Sequence, residues 1–457
     1  MAAASHRATS PGHFAWGAST SSYQIEGATR EDGRGPSIWD IYCRQPGRIA
    51  NGDTGDVACD HYHRYPEDVA LMRGLGINAY RFSVAWPRIM PTGRAPVNEA
   101  GLAFYDRLID ELIAAEIEPW LCLYHWDLPQ GLGERGGWTN RDCADWFADY
   151  VAVVGRRYGD RVKRYATFNE PSVFTLFGYC LGGQAPGLSD TASLLQAIHH
   201  VNLAHGAAVD RLRASVPDAS IGAIHNCQPC RPARDGTEHA LAARRLDAYW
   251  NRAFPDPQVL GRYPALLADA VAPYLRPDDL AHIRRPLDWF GVNHYSPHYV
   301  VADPGKPLGI GFGPAPPSVP RSVMGWPVEP EAFRETLLAT HHRYGLPIYV
   351  LENGTAAPDV VDATGAVADQ PRIDYLRAYT SAMFAAINDG AEVRGYFVWS
   401  LLDNFEWGAG YAQRFGLVYV DFPTQRRVPK ASFRWYAELI QSASPRSMHF
   451  AGAASRS

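Results

Sequence analysis

Two glutamates stand where the chain has little structural use for a charge. Glu170 lies in YATFNEP (165–171) and Glu352 in YVLENG (349–354). Each follows a run of strand-forming residues, and Pro171 then stops regular pairing. Two carboxyl groups flanking one bond are what glycoside hydrolysis requires. One donates a proton to the leaving oxygen; the other attacks the anomeric carbon or activates a water. Either Glu alone reads equally well as a salt-bridged residue at the start of a loop. Their neighbours favour the chemistry. Gln24, His125, Asn169 and Glu406 offer the donors and acceptors that vicinal hydroxyls need. Trp399 and Trp407 offer flat faces to the C–H side of a sugar ring. Most of the 13 tryptophans, by contrast, are accounted for by core packing.

The elements that must position these residues are eight short apolar runs, each followed by a helical pattern. The runs are 14–19, 78–84, 118–124, 164–169, 220–226, 288–295, 347–353 and 393–400. Near-continuous apolar strands indicate burial on both faces, and alternation with helices implies parallel strands. Eight such units predict a single-domain (β/α)8 TIM barrel, an α/β fold whose active site lies at the C-terminal strand ends. Those ends carry Arg81, then His125 and Trp126, Asn169 and Glu170, Asn293 and Tyr295, Glu352, and Trp399. Glu406 and Trp407 follow the eighth strand, and Gln24 follows the first. Strands four and seven face one another across a closed ring, so Glu170 and Glu352 are predicted to oppose each other.

The expected organisation is one barrel domain over 12–443, a flexible N-terminus over 1–11 and a disordered tail over 444–457. Residues 303–327 are rich in Pro and Gly and too long for an ordinary connection, so a functional or mobile loop is expected at the barrel mouth. A net charge of −5 and the lack of a basic stripe argue against nucleic acid. No apolar window is long enough for a membrane span, and the N-terminus lacks the apolar stretch of a secretory signal. Seven scattered cysteines are an odd number and suit a reducing cytoplasm better than a disulfide framework. Cys227 and Cys230 form a lone CxxC, which without a second pair reads as structural thiols rather than a zinc site. No metal or cofactor is called for.

Six ordered motifs resemble those of family 1 glycoside hydrolases, the β-glucosidase group, from about Phe14 to Tyr436. They are FAWGASTSSYQIEGA, DVACDHYHRYPEDVALMRGLGINAYRFSVAWPRI, YHWDLPQ, TFNEP, ENG and WSLLDNFEW. The resemblance implies Glu170 as general acid/base and Glu352 as nucleophile of a retaining mechanism, with carboxyl groups roughly 5–5.5 Å apart. It implies Gln24, His125, Asn169, Glu406 and Trp407 around the non-reducing sugar, and Trp399 beneath it. Asn293 and Tyr295 would sit beside the nucleophile, with the Tyr hydroxyl bonded to it, and Arg81 would keep it ionised. Trp326 would stack on the leaving group. The substrates implied are small β-glycosides: cellobiose and aryl or alkyl β-glucosides, with side activity on β-galactosides or β-fucosides. Leu351 stands where the family usually has Thr, and His294 occupies the middle of NHY in place of a Tyr; neither removes a catalytic group. Glu406 and Gln413 stand where a 6-phosphate would need Ser and Lys, which disfavours phosphorylated substrates. A non-catalytic sugar-binding protein would be expected to have lost one of the two glutamates.

Overall fold

The eight apolar runs become eight strands: β1 (Ala15–Ser19), β2 (Ala79–Ser83), β3 (Glu118–Cys122), β4 (Arg164–Asn169), β5 (Ser220–Asn226), β6 (Trp289–Asn293), β7 (Ile348–Asn353) and β8 (Val393–Trp399). In this computed structural model, which describes residues 14–443, they form one closed barrel in the order β1-β8-β7-β6-β5-β4-β3-β2. All neighbours are parallel. The chain is thus a (β/α)8 barrel, with β4 and β7 on different sides of the ring. The expectations for 1–11 and 444–457 lie outside the described residues. Among the described residues no helix is long and apolar enough to cross a membrane.

The crossover helices form for the usual amphipathic reason. Helix Glu99–Ala114 buries Leu102, Tyr105, Leu108, Ile109 and Leu112, a stripe at three- and four-residue spacing that faces the sheet. Inside the barrel, the rings of Trp120, Trp289, Tyr349 and Phe397 pack on one another with centroids 4.7–5.9 Å apart. Gly222 makes room for this plug, since a Cβ there would lie 2.3 Å from the Trp289 ring. With the interior filled by rings, polar side chains are left to the strand ends.

Residues 303–327 are more ordered than their composition suggests. Strand His298–Ala302 turns back antiparallel onto Ile310–Phe312, and Cys230–Pro232 adds a parallel third strand. The Pro/Gly-rich sequence hid the second strand of this hairpin, which has three residues and lies at the sheet edge, where β propensity is a weak signal.

The loops after β7 and β8 are tied together by a buried charge network. Lys430 Nζ lies 2.6 Å from Asp403 Oδ1 and also contacts Asp359. Arg372 pairs with Asp359 at 2.7 Å and with Asp369, and Arg414 pairs with Asp403 at 2.7 Å. Three cations balance three carboxylates, so removing one leaves a charge uncompensated in the interior. Lys430→Met is expected to cost about 3–5 kcal/mol of unfolding free energy, measured by urea denaturation. A loss under about 1 kcal/mol would show that these charges are hydrated rather than mutually dependent.

Candidate active site

At the end of β4 the chain leaves the sheet abruptly. Asn169 is the last strand residue. Glu170 takes a left-handed conformation (φ 50°), and Pro171 opens the short helix Pro171–Thr175 at a position where its missing N–H costs nothing. Trp126 (φ 78°) and Trp407 (φ 48°) share this sparsely populated backbone region. Three non-glycine residues held so within one site indicate surroundings that over-determine their geometry.

These strand ends converge on a cavity of about 530 Å3. Of the residues singled out from sequence, His125, Trp126, Glu170, Tyr295, Trp326, Glu352, Trp399, Glu406 and Trp407 line it. Arg81 and Asn293 are buried and donate to the lining carboxyls, and the buried Asn169 accepts from both at its Oδ1, at 2.6 and 3.0 Å. Gln24 is also fully buried and does not line the cavity. Its Nε2 donates to Asn404 Oδ1 and the Phe405 carbonyl, both at 3.0 Å, and its Oε1 accepts from Ser21 at 2.6 Å. Its amide is therefore committed to the loop that carries Glu406.

Glu352 and Glu170 are held differently. Glu352 Oε1 accepts from Arg81 at 2.6 Å, and its Oε2 accepts from the Tyr295 hydroxyl at 2.7 Å. Glu170 has no cation in contact. Its Oε1 accepts from two amides, Asn226 at 2.7 Å and Asn293 at 2.9 Å, which leaves Oε2 to carry a proton. Burial, and then the nearby Glu352 charge, push the Glu170 pKa up to about 8. Burial also lifts Glu352, but Arg81 and then the Tyr295 hydroxyl counter it. Glu406, raised to about 8 by burial and by Glu352, has an Oε2 with no partner. Three carboxyls thus lie in one cavity with a guanidinium that touches Glu352 alone among them. Contact with Arg81 favours the charged form at Glu352, the carboxyl among these that a cation touches. Burial is a larger cause of the rise at Glu170 than the like charge of Glu352.

His125 is neutral, its pKa depressed well below the usual range by burial and by Arg81. Arg81 lies 3.2 Å from its Nδ1, and since a guanidinium only donates, Nδ1 accepts. Its Nε2 lies 3.3 Å from Asn169 Nδ2, a second donor. The His125 ring lies parallel to Trp399 and Trp407 at 5.9 Å from each, and Trp126 packs on Trp407 at 4.5 Å. The result is an aromatic cup edged with donors and acceptors. Trp326 packs on Tyr295 at 5.5 Å and Phe415 at 6.0 Å. His294 is buried, donates from Nδ1 to the Cys227 carbonyl at 2.7 Å and packs on Phe333, away from the carboxyls. Cys227 and Cys230 are free thiols, and no metal-binding cluster occurs among the described residues.

Sequence reasoning missed Asn226. It donates to Glu170, is held by the Trp250 indole N–H at 3.1 Å and lines the cavity. Its signal was available, because it is the last residue of β5, the one strand whose end was not searched for polar side chains.

A closed parallel barrel with a cation-paired carboxylate and a protonated carboxyl in one cavity defines a barrel enzyme equipped for acid–base and nucleophilic chemistry. The profile of glycosyl hydrolase family 1 matches residues 6–445, and the chain belongs to that family. It is 44% identical to β-glucosidase A of Thermotoga maritima over 94% of this chain and 98% of that one. It is 43% identical to a bifunctional β-D-glucosidase/β-D-fucosidase of Bifidobacterium breve, covering 95% and 99%. Among solved structures, the Thermotoga maritima β-glucosidase in complex with glucoimidazole superposes with a TM-score of 0.90 at 44% identity, covering 94% and 98%.

Proposed function

We propose that the protein is a retaining β-glucosidase that releases terminal non-reducing β-D-glucosyl residues. The observation that carries the assignment is the unequal charge of the two glutamates: Glu352 is paired with Arg81, while Glu170 is buried without a cation. Glu352 attacks the anomeric carbon as the glycosidic C–O bond breaks, and Glu170 gives its proton to the departing oxygen. The sugar is then an ester of Glu352, whose negative charge is gone. That loss lowers the Glu170 pKa, so the newly formed Glu170 carboxylate takes a proton from the water that attacks the same carbon. The ester breaks and both groups return to their starting states. His125, Asn169, Glu406 and the Trp399–Trp407 cup hold the sugar, with Gln24 ordering the Glu406 loop. The Bifidobacterium relative supports β-fucosides as further substrates. Seven free thiols support a reducing compartment, the cytoplasm.

The test is proton NMR during hydrolysis of an aryl β-glucoside. β-Glucose is expected as the first product, before mutarotation. α-Glucose first would overturn the double-displacement assignment, and no glucose at all would overturn the activity.

A further inference from the structure

A second cavity, of about 970 Å3, lies among the outer helices and shares no lining residue with the active site. Helix Cys143–Tyr158 supplies one wall through Trp146, Asp149, Val153 and Arg156, a stripe at three- and four-residue spacing. Arg94 comes from the segment between β2 and helix Glu99–Ala114, and Arg135 from that between β3 and helix Cys143–Tyr158. Arg211 comes from helix Thr191–Ser215. All four arginines are exposed, and none of their guanidiniums has a hydrogen-bond or ion-pair partner among the described residues. Arg94 lies instead over the Trp146 ring, 5.7 Å from its centroid. The same two helices do pair other arginines. Arg157 lies 2.6 Å from Asp106, and Arg213 lies 2.7 Å from Asp288. Glu134 and Asp149 also line the cavity, and neither pairs with an arginine; Glu134 accepts from the Gln130 amide at 3.3 Å. Four cations against two carboxylates leave an excess of positive charge here, on a chain whose net charge is −5. One solvated arginine needs no explanation. Four from separate segments, lining one concavity without partners, repel one another and add nothing to the fold. The walls of a cleft focus such a field on an incoming anion.

We propose that this cavity binds a small polyanion with a chain of phosphates, held by Arg94, Arg135, Arg156 and Arg211. A guanidinium fork matches two phosphate oxygens at once, and each such bond is charge-assisted. A single carboxylate has too few oxygens and too little charge to engage four forks. The cavity is also far larger than one phosphate and falls in the range of small-ligand sites. The arginines line a concavity rather than a long stripe, which suits a short chain and not a nucleic-acid backbone. Two sources carry this chemistry, inorganic polyphosphate and a nucleoside triphosphate. The half-buried Trp146 offers extra contact to the base of the latter alone. The site is independent of the β-glucosidase assignment, because none of its residues reaches the catalytic cavity.

The test is titration calorimetry at low salt with tripolyphosphate, ATP and adenosine. Tripolyphosphate is expected to bind one-to-one with a Kd of about 0.1 mM, and adenosine not to bind. ATP binding as tightly as tripolyphosphate would support the site and assign it to the phosphate chain alone. ATP binding about tenfold tighter would support it and assign it to a nucleotide. Arg156→Ala and Arg211→Ala should each weaken tripolyphosphate about tenfold. Arg434→Ala removes an exposed, unpaired arginine outside the cavity and should change nothing. All three variants should melt at the wild-type temperature and keep wild-type kcat/KM on an aryl β-glucoside, since these side chains have no partners to lose. No binding of tripolyphosphate or ATP below about 10 mM would overturn the site. So would adenosine binding as tightly as ATP, or equal effects of the Arg156, Arg211 and Arg434 variants.

Discussion

Glu352→Ala is expected to lower kcat/KM on β-glucosides by about 10^5-fold, because no other group can form the glycosyl ester. The variant keeps Arg81 and Tyr295, whose donors now face a small vacancy with no anion in it. Azide should fill that role. With 2,4-dinitrophenyl β-glucoside, whose leaving group departs without protonation, azide attacks the anomeric carbon from the Glu352 side and yields α-glucosyl azide. The inverted product is the decisive reading, since general damage to the fold would give no azide adduct. Activity within tenfold of wild type, or β-glucosyl azide as product, would remove Glu352 from its assigned role.

The second large effect is selective. Glu170→Ala should cost about 10^3-fold or more on alkyl β-glucosides, which need a proton on the departing oxygen. The glycosylation step with 2,4-dinitrophenyl β-glucoside should hardly change, so a burst of dinitrophenol precedes slow turnover. Azide then attacks the glycosyl ester from the Glu170 side and gives β-glucosyl azide. The pH dependence follows from the same group. Glu170 acts as an acid only while protonated, and its raised pKa of about 8 keeps it so at neutral pH. Wild-type kcat/KM on alkyl glucosides should therefore fall as pH rises through about 8, with a separate acid limb where Glu352 takes a proton. In the Ala variant, assayed with the dinitrophenyl substrate, this alkaline limb should be gone. Equal losses on alkyl and dinitrophenyl glucosides, or an alkaline limb that survives in the variant, would be incompatible with Glu170 as the acid.

Much of this site was legible before any coordinates. Barrel strands are buried on both faces, so their apolar runs are dense and their limits clear. The structural strand Arg164–Asn169 coincides with the run read from sequence, and 348–353 differs from its run by one residue. Polar side chains at such ends have few structural uses, which made Glu170 and Glu352 conspicuous. Other features were not legible. Gln24 was read as a sugar ligand, and its amide also meets Asn404 and Phe405, residues about 380 positions away, a contact that no local pattern shows. The hairpin strand that falls within 303–327, Ile310–Phe312, is too short to show a period.

The sequence by itself determined the parallel barrel, the placing of two carboxyls on strands across it, and the aromatic and amide residue types around them. These follow from local apolar patterning and from the geometry of a closed ring. The resemblance already implied a charged Glu352 and a proton-donating Glu170; only the tertiary structure showed the contacts that set the two apart. Arg81 reaches Glu352 and not Glu170, Asn226 and Asn293 both engage a single Glu170 oxygen, and burial removes the water that would have kept all three acids ionised. Protonation in a low-dielectric cavity is set by contacts and solvent exclusion, and neither is a property of the residues in order along the chain.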